Sequence, residues 1–216
     1  MFALILGSAL LSSARHCKRL KETVMSNLEI LAVLVNVLGV WLTARRTPWC
    51  WPVNVIAVLL YVWIFYDVKL YSDMLLQVIF VFMQGYGWWQ WRAGRMDEGR
   101  VHVDRLPLHV ALVSLVIGGL LALLLGAGMA HFTDAEVPWL DATLTAYSLV
   151  ASYWAARKYI ASWWLWIALD LVYTGLYYYK ALPLTAALYA GFIILAVYGL
   201  RAWQHSVAAR STPAPL

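Results

Sequence analysis

One carboxylate lies deep inside an apolar stretch of this chain. Asp170 shares a helical face with Trp163, Trp166, Tyr173 and Tyr177, at steps of 3, 4, 3 and 4. A second face carries Gln77, Gln84, Trp88 and Trp91, at steps of 7, 4 and 3. Other apolar stretches add Asn54, Tyr61 and Phe65, then Thr145, Ser148 and Ser152, then Asn36 and Thr43, and finally Tyr189 and Tyr198. Polar groups held in hydrocarbon usually face a bundle interior or a cavity. Aromatic faces stack on planar rings and attract cations. Gln and Asn amides read hydroxyls and carboxamides. Together these residues describe a recognition site for a small, flat, polar molecule, cationic where Asp170 supplies the counter-charge. Gln77 and Gln84 could instead be interhelical glue, and Asp170 could be held by a tyrosine hydroxyl. Catalysis has no comparable support. There is no G-x-S-x-G, no H-E-x-x-H and no Gly-rich phosphate loop, so neither an enzyme nor a cofactor is expected. The two cysteines, Cys17 and Cys50, and the five histidines show no metal-ligand spacing.

The elements that position these residues must be membrane spans. Of 216 residues, 63% are hydrophobic and 12% charged, with a mean hydropathy of +0.71. Soluble domains hold about 45–50% apolar and roughly 25% charged residues. Seven apolar stretches are expected to span: Leu28–Ala44, Pro52–Tyr66, Ser72–Trp91, Leu106–Ala130, Leu140–Ala156, Trp163–Tyr179 and Leu184–Trp203. The net charge of +5 does not point to nucleic acid, because the bases cluster between spans. Arg45, Arg46, Arg92, Arg95, Arg100, Arg105, Arg157, Lys158, Arg201 and Arg210 fall on one side. The other side has Lys69 and Lys180, with Arg15, Lys18, Arg19 and Lys21 before the first span. This asymmetry puts the C-terminus in the cytoplasm. Three readings remain open for residues 1–24: an interfacial helix, an additional span, or a start read too early, with Met25 the first residue. Trp49, Trp51, Trp88, Trp89, Trp91, Trp139, Trp163, Trp164 and Trp203 fall at span ends, where an interfacial aromatic belt is expected for most.

The chain also matches itself at an offset of 112 residues. Glu29–Trp91 lies on Asp141–Trp203 without a gap, pairing Arg45 with Arg157, Trp51 with Trp163, Tyr61 with Tyr173, Gly87 with Gly199 and Trp91 with Trp203, among others. Each repeat holds three spans. A single connecting span restores parity, so the repeats run parallel, with a site expected between them. The expected organisation is an N-terminal extension (1–27), a first repeat (28–91), a loop and linker helix (92–139), a second repeat (140–203) and a cytoplasmic tail (204–216). In the linker, Gly118, Ala122, Gly126 and Ala130 form a small-residue stripe, suited to close packing or an oligomer contact or owed to composition alone.

Several motifs carry a resemblance. Trp51-Pro52-Val53-Asn54, the run Leu70-Tyr71-Ser72-Asp73-Met74-Leu75-Leu76-Gln77 and Tyr86-Gly87-Trp88-Trp89-Gln90-Trp91 resemble the PnuC vitamin transporters. Arg157-Lys158-Tyr159 followed by Trp163-Trp164-Leu165-Trp166 fits the same family. The resemblance covers Leu28 to Trp203. It implies an all-α membrane protein with seven transmembrane helices in the 3+1+3 arrangement of the SWEET-like superfamily, assembled as a homotrimer. It implies uptake of nicotinamide riboside across the bacterial inner membrane by facilitated diffusion, the substrate then being trapped by a cytoplasmic kinase. It also implies substrate contacts at Asn54, Gln77, Trp163 and Trp166. Two positions depart from the nicotinamide riboside pattern: Gln84 and Asp170 stand where Asn is expected. Thiamine or another small vitamin of the same family is the alternative cargo.

Overall fold

The computed structural model describes residues 19–67, 71–94, 96–97, 99–132, 137–179 and 183–211. Expectations for residues 1–18 lie outside these. Among the described residues seven helices form: α1 (Arg19–Ala44), α2 (Cys50–Asp67), α3 (Tyr71–Arg92), α4 (Leu108–Phe132), α5 (Pro138–Ala156), α6 (Ala161–Tyr179) and α7 (Pro183–Ser211). They match the seven expected spans, mostly within two residues. The exceptions are α1, which begins nine residues earlier, and α7, which continues through what the sequence suggested was a tail. Between α3 and α4 lies a hairpin absent from the sequence reading, β1 (Met96–Asp97) and β2 (Arg100–Val101). Its turn uses Gly99 at φ 73°, a backbone region that costs glycine nothing.

The Arg-Arg and Arg-Lys pairs explain why α1 and α5 stop where they do. Arg46 and Lys158 adopt positive φ, 59° and 66°. Behind them Arg46 N–H donates to Thr43 O and Thr47 N–H to Leu42 O; Lys158 N–H donates to Ala155 O and Tyr159 N–H to Trp154 O. Both are Schellman caps, which satisfy carbonyls that the helix end would leave open. The same motif, 112 residues apart, makes the same turn twice.

In the first half α1 packs on α2 and α2 on α3; in the second, α5 packs on α6 and α6 on α7. The halves meet through α1 on α7 and α3 on α5, which are equivalent pairs under the 112-residue offset. Helix α4 packs on α5. Its Gly118, Ala122 and Gly126 are buried there, and a Cβ at Gly118 would sit 2.9 Å from Val150, one at Gly126 2.5 Å from Trp139. The small-residue stripe is thus a close-packing face within the chain. Trp154 Nε1 donates to Ser114 Oγ (2.9 Å) on the same seam.

The outer surface is apolar. Leu112, Val116, Leu120, Leu123 and Leu124 of α4 are exposed, as are Leu34, Ile56, Phe82 and Ile194 elsewhere. A water-soluble monomer rarely presents such a surface. Among the described residues, Leu108–Phe132 (mean hydropathy 2.6) and Thr185–Ala209 (1.5) are each long and apolar enough to cross a bilayer.

Candidate substrate site

The geometry at one end of the bundle follows from four tryptophans. Trp51 and Trp91 meet edge to face at 5.5 Å and 84°. Their counterparts Trp163 and Trp203 meet at 5.4 Å and 89°. Trp91 and Trp203 join the pairs across the middle at 6.0 Å. Trp91 Nε1 of the first half donates to Ala155 O of the second (3.0 Å), and Trp203 Nε1 of the second donates to Thr43 O of the first (3.2 Å). Thr43 and Ala155 are themselves equivalent, so these two bonds are one contact made twice. All four rings are buried. Trp49, Trp89, Trp139 and Trp164 are exposed as a belt requires, but Trp51, Trp91, Trp163 and Trp203 belong to the core, which corrects the expectation for them.

Further cross-half contacts close this end. The Arg157 guanidinium lies beside the hydroxyls of Tyr159 and Tyr86, and its interaction with them raises its pKa further above its ordinary value. Lys158 Nζ donates to Gln90 O (3.1 Å); burial lowers its pKa, partly offset by Asp104. Tyr86 stacks on Tyr153 at 6.4 Å. The segment from Val101, the end of β2, to Asp104 straps both halves: Val101 N–H donates to Arg46 O, and Asp104 N–H to Lys158 O.

Behind the tryptophans lies a cleft lined by Val40, Thr43, Trp51, Asn54, Ala155, Trp163 and Trp166. Its volume is about 30 Å³, room for one or two waters. Both halves supply its walls. Three expected site residues line it: Asn54, whose side chain abuts the α1 backbone at Gly39, and Trp163 and Trp166.

A second layer lies deeper along α6. Asp170 follows Trp166 by one turn, about 6 Å along the axis, and is 1% exposed. Tyr173 and Tyr189 face each other at 4.8 Å, Tyr177 and Tyr189 at 5.2 Å. Tyr61 of α2 stands within electrostatic reach of Tyr189, and Asp170 within reach of both Tyr173 and Tyr189. The Ser148 hydroxyl of α5 lies beside that of Tyr173, just outside hydrogen-bond geometry. Gln77 and Gln84 are fully buried on α3, which packs between α2 and α5.

These groups are short of partners. Among the described residues, both amide atoms of Gln77 and Gln84, both carboxylate oxygens of Asp170, the Tyr189 hydroxyl and the indole N–H groups of Trp51 and Trp163 find no hydrogen-bond partner. Native proteins satisfy roughly 90% or more of their buried polar groups. Orphans concentrated on the inner faces of the helices are what a polar ligand would satisfy. Among the described residues, Gln77 and Gln84 bond no neighbouring helix and no tyrosine hydroxyl bonds Asp170. Sequence reasoning placed Trp91 on the polar face of α3 but assigned no site role to Trp51 or Trp203; the signal was their recurrence in the repeat.

Comparison with known proteins agrees with this architecture. Residues 26–205 match the family model described as nicotinamide mononucleotide transporter. The chain is 25% identical over 215 residues to the nicotinamide riboside transporter PnuC of Escherichia coli (strain K12), covering 88% of this chain and 90% of that one. It is 28% identical over 175 residues to the riboflavin/roseoflavin transporter RibM of Streptomyces davaonensis, covering 78% and 81%. The crystal structure of the vitamin B3 transporter PnuC superposes with a TM-score of 0.70 at 23% identity, covering 86% of this chain and 84% of that one.

Proposed function

The chain belongs to the nicotinamide mononucleotide transporter family, and from that premise we propose that it takes up nicotinamide riboside by facilitated diffusion. It is a membrane transporter. The observation that carries the substrate reading is the set of buried, unpartnered amide, carboxylate, phenol and indole groups between the halves. A riboside offers hydroxyls and a carboxamide for the amides and a flat ring for the aromatic walls.

The reciprocal Trp91 and Trp203 bonds support a 3+1+3 plan, with parallel repeats 28–91 and 140–203 joined by α4. Transport follows as rocking of one half against the other around a fixed site. The tied end carries Arg45, Arg46, Arg157 and Lys158, so by the positive-inside rule it faces the cytoplasm, as does the C-terminus. The conformation described is therefore closed to the cytoplasm. A bacterial inner-membrane location and a homotrimer complete the reading, both on the family resemblance.

Uptake of labelled nicotinamide riboside into proteoliposomes tests it. Saturable flux, abolished by Trp166→Ala, is the expected result. Full flux after Trp166→Ala combined with Gln77→Ala would refute this site. Accumulation above equilibrium under an imposed pH gradient would refute uniport. A second reading, another flat vitamin, rests on the similarity to a relative named for riboflavin and on the Gln84 and Asp170 departures. Parallel titration with nicotinamide riboside, thiamine and riboflavin separates them.

A further inference from the structure

An acid in the middle of a membrane bundle needs a reason. Asp170 sits halfway along α6, 1% exposed, and among the described residues neither carboxylate oxygen has a hydrogen-bond partner. The stretches 28–44, 50–67, 71–91, 138–156, 161–179 and 183–200 contain no Lys, Arg or His. Among the described residues, none of these stretches therefore places a side-chain cation beside it. Its counterpart in the first half is Val58, which is also buried. The repeat alone would thus put an apolar side chain here, and the acid is a feature of the second half only.

The surroundings suit a flat cation. Tyr173, Tyr177 and Tyr189 form a continuous aromatic wall, with ring centroids 4.8 to 6.2 Å apart. Asp170 and the two phenols of Tyr173 and Tyr189 interact electrostatically. Aromatic faces attract cations, more strongly once water is excluded. A buried charge left unpaired is costly, and a matching charge in hydrogen-bonding geometry offsets that cost.

We infer that Asp170, backed by Tyr173, Tyr177 and Tyr189, is the charge selector of this carrier: it admits ligands bearing a fixed cationic ring and disfavours neutral rings of the same shape. This rests on the nicotinamide riboside reading and adds its specificity determinant. It sets pyridinium and thiazolium vitamins against a neutral isoalloxazine. It also makes recognition asymmetric, with the ring turned toward the second half.

The test uses two ligands that differ in charge and hardly in shape: nicotinamide riboside, a pyridinium cation, and its neutral 1,4-dihydro form. Each is titrated calorimetrically into the purified full chain, wild type and Asp170→Asn. Wild type is expected to favour the cation by at least about tenfold. Asp170→Asn should remove that preference by weakening the cation alone. Equal wild-type affinity for the two forms would overturn the inference, and needs no variant to fold. A variant that keeps the preference, or weakens both ligands alike, would overturn it too. Binding of the neutral form alone refutes the selector but keeps the carrier; binding of neither refutes both.

Discussion

Gly199 decides where Trp163 can stand. A Cβ added at Gly199 would fall 2.5, 2.6 and 2.7 Å from three carbons of the Trp163 ring. The ring would have to retreat by about 1 Å to reach ordinary van der Waals contact. One side is closed by Trp203, edge-on at 5.4 Å. The free side is the cleft that Trp163 shares with Asn54 and Trp166. Gly199→Ala therefore pushes an indole into the cleft proposed to hold substrate. Overpacking of this kind costs about 1–3 kcal/mol. Expressed in the bound state, that is roughly a 5- to 150-fold loss of affinity. The assay is calorimetric titration with nicotinamide riboside, alongside a thermal melt. Gly191→Ala is the control: it lies on the same helix with nothing within 4 Å of its added Cβ, and should bind and melt as wild type. Unchanged affinity and melting in Gly199→Ala, or equal damage in Gly191→Ala, would refute the argument that Trp163 is held in place by this glycine.

The paired indole bonds give a symmetric expectation. Trp91→Phe and Trp203→Phe each remove one cross-half hydrogen bond and should each destabilise by about 1 kcal/mol. Thermal unfolding in detergent checks this, and a loss confined to one of the two would contradict the equivalence. Arg46 occupies left-handed backbone, so Arg46→Asn should be tolerated in the same assay, whereas Arg46→Val should cost roughly 1–2 kcal/mol. No difference between those two would remove the capping argument. Cys50 is fully buried. In a Cys17→Ser background, maleimide should label it only after denaturation; rapid labelling of the folded protein would show the end of the bundle to be open.

Six of the seven helix N-termini and six of the seven C-termini lie within two residues of the limits read from apolar run length, because a span's length is set by the bilayer and its ends by local charge and turn residues. The two misses have one cause. At the start of α1 and the end of α7 the sequence turns polar, which ends a membrane span but not a helix; α7 runs on to Ser211. The hairpin at 96–101 was illegible, since two residues per strand carry no periodicity. Asn54, Trp163 and Trp166 were legible through motif and face, and the structure brings them to one cleft. Trp203 was not, because a tryptophan at a helix end has the same local sequence whether it meets lipid headgroups or a partner helix.

Composition and spacing alone determined that this chain builds seven apolar helices, that it repeats itself, and that one acid, two glutamines and a set of tryptophans and tyrosines lie inside them. Apart from the repeat, which is a match between two copies of one local pattern, those properties are local: they depend on residues within a few turns of each other. Tertiary structure decided which tryptophans are core, that the glycine stripe of α4 serves α5, and that Trp91 reaches Ala155 while Trp203 reaches Thr43. Partners 64 and 160 residues apart are chosen by how two halves close on each other, and no short stretch of sequence encodes that closure.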